Sequence, residues 1–187
     1  MPRRTRKFRF NNKTGTLSSQ GIDLISNGEM TSGGSILQVK NTTTSSRTSY
    51  VGNAGGTTIT PITTTITPSA TSSKVFVIVT LTYELHHNAG FRLYRDSTII
   101  GRNSSSTSQW SHTWTTHYDN NQASTPITQT WTFLDAPSST SALSYSLAVA
   151  RSGTTNYTLY LNRCQSSAGS NNHENGTSSM TLMEVAG

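Results

Sequence analysis

The feature that most constrains this chain is an apolar alternation of period two, recurring along its middle and its end. Lys74 to Glu84 reads KVFVIVTLTYE, apolar at successive positions in its first half and alternating in its second. Leu143, Tyr145, Leu147 and Val149 alternate with small polar residues, Tyr157, Leu159 and Leu161 repeat the pattern, and a last run covers Ser178 to Val185. Neighbouring residues of a strand face opposite sides of a sheet, so alternation marks a half-buried strand, and an apolar run on both faces marks a central one. Ile36 to Lys40 reads as a short strand. Ile59, Ile62 and Ile66, set among threonines with Pro61 and Pro68, read as an edge strand. Phe91, Leu93 and Ile99 form a hairpin turning at Arg95-Asp96-Ser97, and Thr128 to Leu134 carries Trp131 and Phe133 on one face. No segment holds a helical period. The expectation is an all-β domain of about eight to ten strands, a jelly roll or related β-sandwich.

Composition supports that class. Ser and Thr make 62 of 187 residues and charged residues only 12%, against a usual charged share of about 25%. A helical bundle needs Ala, Glu, Lys and Leu in quantity, and a membrane helix needs roughly 18 apolar residues in a row. The longest apolar run here is Val75 to Val79. Cys164 is the sole cysteine, so packing and hydrogen bonds hold the fold without an intrachain disulfide.

The net charge of +6 is local. Arg3, Arg4, Arg6, Lys7, Arg9 and Lys13 lie within the first thirteen residues, leaving eight cations against eight anions in the remainder. Residues 1–35 read as a basic arm and connector, and 36–187 as the sandwich. Phe8, Phe10, Leu17, Ile22, Leu24 and Ile25 punctuate the arm. A segment made only for phosphates has no use for them, so the arm is expected to pack on a neighbouring protein, with Arg3, Arg4, Arg6, Lys7, Phe8, Arg9 and Phe10 as the contact residues. Six cations are few for a packaged genome, which disfavours nucleic acid as the partner. The stretch MPRRTRKFRFNNKTG lacks the apolar core of a secretory signal; the expectation is assembly in a host cytoplasm without export or membrane insertion.

Chemistry is sparse. His86 and His87 are adjacent on a strand and face opposite ways, as do His112 and His117 five residues apart, and no Cys/His cluster has zinc-like spacing. Of the eight carboxylates, Glu84 and Asp119 could lie near one another in some folding as a pair for glycoside hydrolysis, but nothing singles them out. No G-x-S-x-G, Walker loop or G-x-G-x-x-G occurs. The reading is a non-enzyme with no catalytic residue, no metal and no cofactor. Trp110, Trp114, His117, Tyr118, Asp119 and Asn120 form the one cluster able to stack on and hydrogen-bond a host glycan. The competing reading places its tryptophans in a core or an interface, where aromatic rings usually sit. Loops 119–124 and 165–176 are the candidates for an outward, binding surface.

Outer sheet faces of Thr, Ser and Asn resist neither stacking nor edge pairing as Lys and Glu do. A homotrimer burying such a face is therefore expected.

The succession GGSILQVK, ITPSATSSKVFVIVTLTY, FRLYRDSTIIG, WTFLDAPSSTSALSYSLAV and SSMTLMEVAG resembles a recurrent family of tailed-phage virion proteins, common in cyanophages. The likeness spans residues 33–187. It implies a β-sandwich, often trimeric, in tail fibres, fibre tips and other surface appendages of the particle, and offers no catalytic residues. Three functions compete: a homotrimeric tail fibre or tip, anchored by its arm and touching the host surface; a capsid decoration (cement) protein whose arm grips the head; and a jelly-roll coat protein with a nucleic-acid-binding arm.

Overall fold

The computed structural model describes residues 34–85, 89–102, 111–116, 125–167 and 173–187, with the backbone strands of 8–11, 16–19 and 22–25. Those strands, β1 (Phe8–Asn11), β2 (Thr16–Ser19) and β3 (Ile22–Ile25), form an antiparallel meander. The body then runs β4 (Ile36–Thr44), β5 (Ser49–Gly52), β6 (Thr57–Thr58), β7 (Thr64–Ile66), β8 (Lys74–Leu85), β9 (Ala89–Arg95), β10 (Thr98–Ile100), β11 (Trp114–Thr115), β12 (Ile127–Asp135), β13 (Leu143–Arg151), β14 (Tyr157–Leu161) and β15 (Ser178–Val185). The described residues contain no α-helix, only 3-10 turns at Thr60–Ile62 and Gln165–Ser167.

Two antiparallel sheets face each other as a β-sandwich. The first runs from β12 through β8 to β15 and β14, which meet end to end, and then to β4 and β5. The second runs from β10 and β11 through β9 and β13 to β7 and β6. Between them lie Val75, Val77, Val79, Leu81 and Tyr83 of β8, Leu159, Leu161, Met180 and Leu182 beside it, and Phe91, Leu93, Leu147 and Val149 opposite. All are fully buried. The alternation read in the sequence is thus the inward face of each strand, and burying these side chains is the main force holding the sheets together, about 1.5–3 kcal/mol for each large one.

Three stretches differ in detail from the sequence expectation. Strand β4 continues past Lys40 to Thr44, where its β-branched threonines pair with β15, and Ser49–Gly52 forms β5 because β14 offers it a ladder. Ile59, Ile62 and Ile66 are buried, but Pro61 bends the chain into a 3-10 turn, so only Thr64–Ile66 pairs, at the edge beside β13. Within QWSHTWTTHY, the described residues that pair as a strand are Trp114 and Thr115, with Phe91 and Gly90.

Where β14 and β15 meet, one residue closes the ladder. Asn162 is fully buried with φ 56°, in the left-handed region that asparagine tolerates. Its N–H donates to the Thr82 carbonyl at 2.8 Å, and its Nδ2 donates to the carbonyls of Thr44 and Ser46, each at 3.0 Å. Ser178 Oγ donates to Asn162 Oδ1 at 2.6 Å, and Thr82 N–H donates to Ser178 Oγ at 3.0 Å. One side chain therefore satisfies backbone groups on both sides of the break.

Candidate interaction surface

The residues put forward from the sequence divide sharply. Arg3, Arg4, Arg6 and Lys7 lie outside the described residues, as do Trp110, His117, Tyr118, Asp119 and Asn120. Phe8, Arg9 and Phe10 fall on β1. Trp114 on β11 is half-buried and stacks on Trp131 at 5.7 Å and 16°. Trp131 in turn lies 4.9 Å from Phe91 and 6.2 Å from Tyr83. The Tyr83 hydroxyl donates to Gln129 Oε1, and burial raises its pKa well above the usual phenol value. Trp114 therefore closes the sandwich between β11 and β12; its ring is engaged with another tryptophan rather than presented as an open platform.

Polar chemistry is concentrated in three buried clusters. At the first, Asp135 accepts from both sides: Arg95 Nη1 reaches its two oxygens at 2.9 and 2.8 Å, and the Tyr145 hydroxyl donates at 2.6 Å. Burial pulls the Arg95 pKa down, but the hydrogen bond and charge of Asp135 outweigh it and raise it overall. Burial, then the Asp135 hydrogen bond, raise that of Tyr145. The cluster joins β9, β12 and β13 across both sheets.

At the second, Glu184 on β15 is buried, and no cation pairs with it among the described residues. It accepts from Ser69 N–H at 2.7 Å, Ser69 Oγ at 2.6 Å, Ser73 Oγ at 2.7 Å and Gln38 Nε2 at 2.6 Å. Burial would raise its pKa, but these four donors prevail and bring it to about 2. The carboxylate thus fixes the TPSATSS turn, residues 67–73, to the sheet.

At the third, His112 Nε2 lies 2.7 Å from Ser152 Oγ, while His112 Nδ1 is buried with no hydrogen-bond partner among the described residues. Burial and then the nearby Arg92 charge lower its pKa to about 4. Among the described residues no carboxylate orients the ring in the manner of a Ser-His-Asp triad. No three His, Cys, Asp or Glu side chains come together as a metal site among the described residues.

The broadest feature is the outer face of the first sheet. Register aligns Val39 of β4, Met183 of β15, Phe76 of β8 and Leu134 of β12 in one row across four strands. Ile36 and Val185 pair beside it. Val39 is 52% exposed, Leu134 51% and Ile36 57%; Phe76, Met183 and Val185 are half-buried. Farther along, the face becomes hydroxyl-rich and internally paired: Thr80 with Thr130 at 2.9 Å, Thr82 with Thr128 at 2.8 Å, and Asn41 Nδ2 donating to Thr181 Oγ1 at 2.8 Å. In the sequence, Phe76 and Ile78 signalled a second buried face of β8; Val39, Leu134 and Met183 carried no such signal, because only register joins them to it.

The face has two distinct ends. The chain enters at Gly34, whose N–H donates to the Ala186 carbonyl at 2.9 Å, and Ala186 N–H donates to the Ser35 carbonyl at 2.8 Å. At the opposite end Ile127 begins β12 across from Tyr83, and Ser178 begins β15 across from Thr44. The segments 117–124 and 168–172 lead into these two strand starts, and β8, twelve residues long, separates the ends by about 36–40 Å.

By fold, the chain is a two-sheet antiparallel β-sandwich domain. No protein-family model matches it, and no curated protein matches it.

Proposed function

We propose that this protein is a virion structural component, a homotrimeric tail-fibre or tip subunit attached to the particle through residues 1–35 and meeting the host surface with the opposite end. The observation that carries this reading is the polarity of the first sheet. Gly34, which follows the basic segment in the sequence, lies at one end, and Ile127 and Ser178, the strand starts that follow the two candidate binding loops in the sequence, lie at the other. A jelly-roll topology accords with the strand order. Numbering the strand positions one to eight along the body, with β4/β5 first and β15 last, gives 1-8-3-6 in one sheet and 2-7-4-5 in the other, the order expected of two interlocked Greek keys. The hydroxyl-rich, largely uncharged outer face supports burial against copies of the same chain. No enzymatic step is assigned to it.

Labelling the C-terminus at Gly187 and imaging intact particles tests the reading. Label at the tail extremity is the expected result. Label spread over the head would make this a decoration protein with the arm as its capsid clamp, and particles without label would overturn the virion assignment.

A further inference from the structure

The entry into β15 is built on a glycine that nothing larger can replace. A Cβ at Gly176 would meet the side chain of Thr82 at 2.5 Å. Thr82 cannot yield, since its hydroxyl donates to the Thr177 carbonyl at 3.0 Å and lies 2.8 Å from Thr128 Oγ1. Gly176 N–H donates to the Asn162 carbonyl at 3.2 Å, the long end of the ordinary range. The residue before it, Asn175, is exposed and forms an isolated antiparallel bridge with Arg163. Its Nδ2 donates to the His173 carbonyl at 3.0 Å. The fold thus demands glycine here and sets it directly after a solvent-facing carboxamide.

That order of residues carries chemistry. The backbone nitrogen that follows an asparagine can attack its carboxamide carbon and close a five-membered ring. The Cβ of the following residue ordinarily hinders the approach, and glycine has none. Among the described residues, Asn41, Asn53, Asn156 and Asn162 precede Thr, Ala, Tyr and Arg, and Asn162 is also fully buried. Asn175 is the one asparagine among them that is followed by glycine. Its bridge to Arg163 lies outside the named strands, so a single long backbone bond, rather than a ladder, holds the attacking nitrogen.

We infer that Asn175 is a site of self-modification, converting in the folded protein to aspartate and isoaspartate through a cyclic imide. Gly176 N gives up its proton to solvent base and bonds to Asn175 Cγ, the Cγ–Nδ2 bond breaks, and the nitrogen leaves as ammonia. Water then opens the ring, at Cγ to give aspartate or at the backbone carbonyl to give isoaspartate. The balance is one amide and one water to one acid and one ammonia, with no oxidant or reductant. The product lowers the net charge of +6 by one. Its carboxylate stands across the bridge from Arg163, where facing residues sit about 4.5–5.5 Å apart. The Arg163 guanidinium lies 4.8 Å from the centre of the Tyr160 ring and donates to the carbonyls of Cys164 and Gln165, so the new charge competes for it. The imide nitrogen carries no hydrogen, which removes the bond to Asn162. The isoaspartyl form adds a methylene to the main chain where Gly176 is wedged against Thr82. Loop 165–176, a candidate outward surface, thereby gains negative charge with age.

Timed incubation of the full-length protein in mildly alkaline buffer tests it, one sample folded and one in urea, each then digested and read by mass spectrometry with fragment spectra locating the change. In the folded sample Asn175 is expected to gain the mass of an amide turned to an acid, in two forms separable by chromatography, while Asn41, Asn53, Asn156 and Asn162 remain amides. Conversion of Asn175 in urea but not in the folded sample would show that the Asn162 bond and the packing on Thr82 shut the site, and would overturn the inference. Conversion no faster than at the other four asparagines would overturn it equally. The second Asn-Gly pair of the sequence, Asn27-Gly28, falls in a different tryptic peptide and is followed separately. Asn175→Gln, on an exposed position, keeps the fold and must close a larger ring. That variant should lose the more acidic species that the wild-type protein accumulates on cation exchange, beyond any share assigned to Asn27. Persistence of the full acidic species in the variant would place the reaction elsewhere.

Discussion

Glu184 shows how a single side chain can set a response to acid. Its pKa of about 2 lies below the ordinary 4.5, so the folded state binds its proton less readily than the unfolded chain. That stabilisation is complete above about pH 4.5 and is lost as the pH falls towards 2. Substituting Gln places an amide donor among donors and should cost about 1.5–3 kcal/mol in urea unfolding at pH 7, while flattening the profile between pH 4.5 and 2. His112 acts in a higher window. Its pKa falls from 6.5 to about 4, so folding excludes a proton that the unfolded chain accepts. Stability should decline as the pH falls from about 6.5 to 4, and His112→Gln should remove that slope from a series of thermal melts. At Asn162, alanine loses three side-chain hydrogen bonds and strains a positive φ; a loss of about 2–4 kcal/mol is expected. Glycine should recover only the backbone part.

At the scale of elements, β9 depends on a bare backbone at Gly90. A Cβ there would meet the His112 ring at 2.5 Å, and the ring is held by Ser152. Gly90→Ala should cost about 1–3 kcal/mol by overpacking, measurable as a lowered urea midpoint with an unchanged slope. The strands themselves were largely legible. The alternation in Lys74–Glu84, Leu143–Val149 and Ser178–Val185 became β8, β13 and β15 because one face of each is buried and burial imposes a period of two. Ser49–Gly52 escaped because its pairing comes from β14, more than a hundred residues away, and no local pattern announces a partner. The candidate surface was less legible for the same reason. Val39, Phe76, Leu134 and Met183 are scattered in the sequence and meet only through register. For Trp114 the sequence favours a core or interface position over an open glycan platform, because aromatic rings usually sit inside, and its stacking on Trp131 is of the packed kind.

For the whole molecule, net charge and apolar surface are segregated: the excess of cations lies in the first thirteen residues, and the exposed apolar row lies on the sandwich. The two should respond differently to salt. Raising ionic strength from 0.1 to 1 M shortens the screening length from about 10 to 3 Å. On the function proposed above, attachment of the arm to an acidic neighbour should weaken over that range, as binding titrations would report, while the mass of the proposed trimer in light scattering should hold. Loss of the trimer at high salt would show that ionic contacts, rather than apolar burial, join the copies.

The closure of Gly34 and Ser35 onto Ala186 has a mechanical consequence. The first and last strands of the body lie side by side and antiparallel over most of their length. Tension applied between the arm and the far end runs along their axes. Such a pull shears the β4–β15 ladder, loading its bonds together, whereas a pull across the strands would peel them one after another. A subunit anchored at one end and tugged at the other would thus meet force in its stiffest direction, and pulling on the two ends of a single chain in an optical trap should give a much lower rupture force than pulling from arm to distal loop.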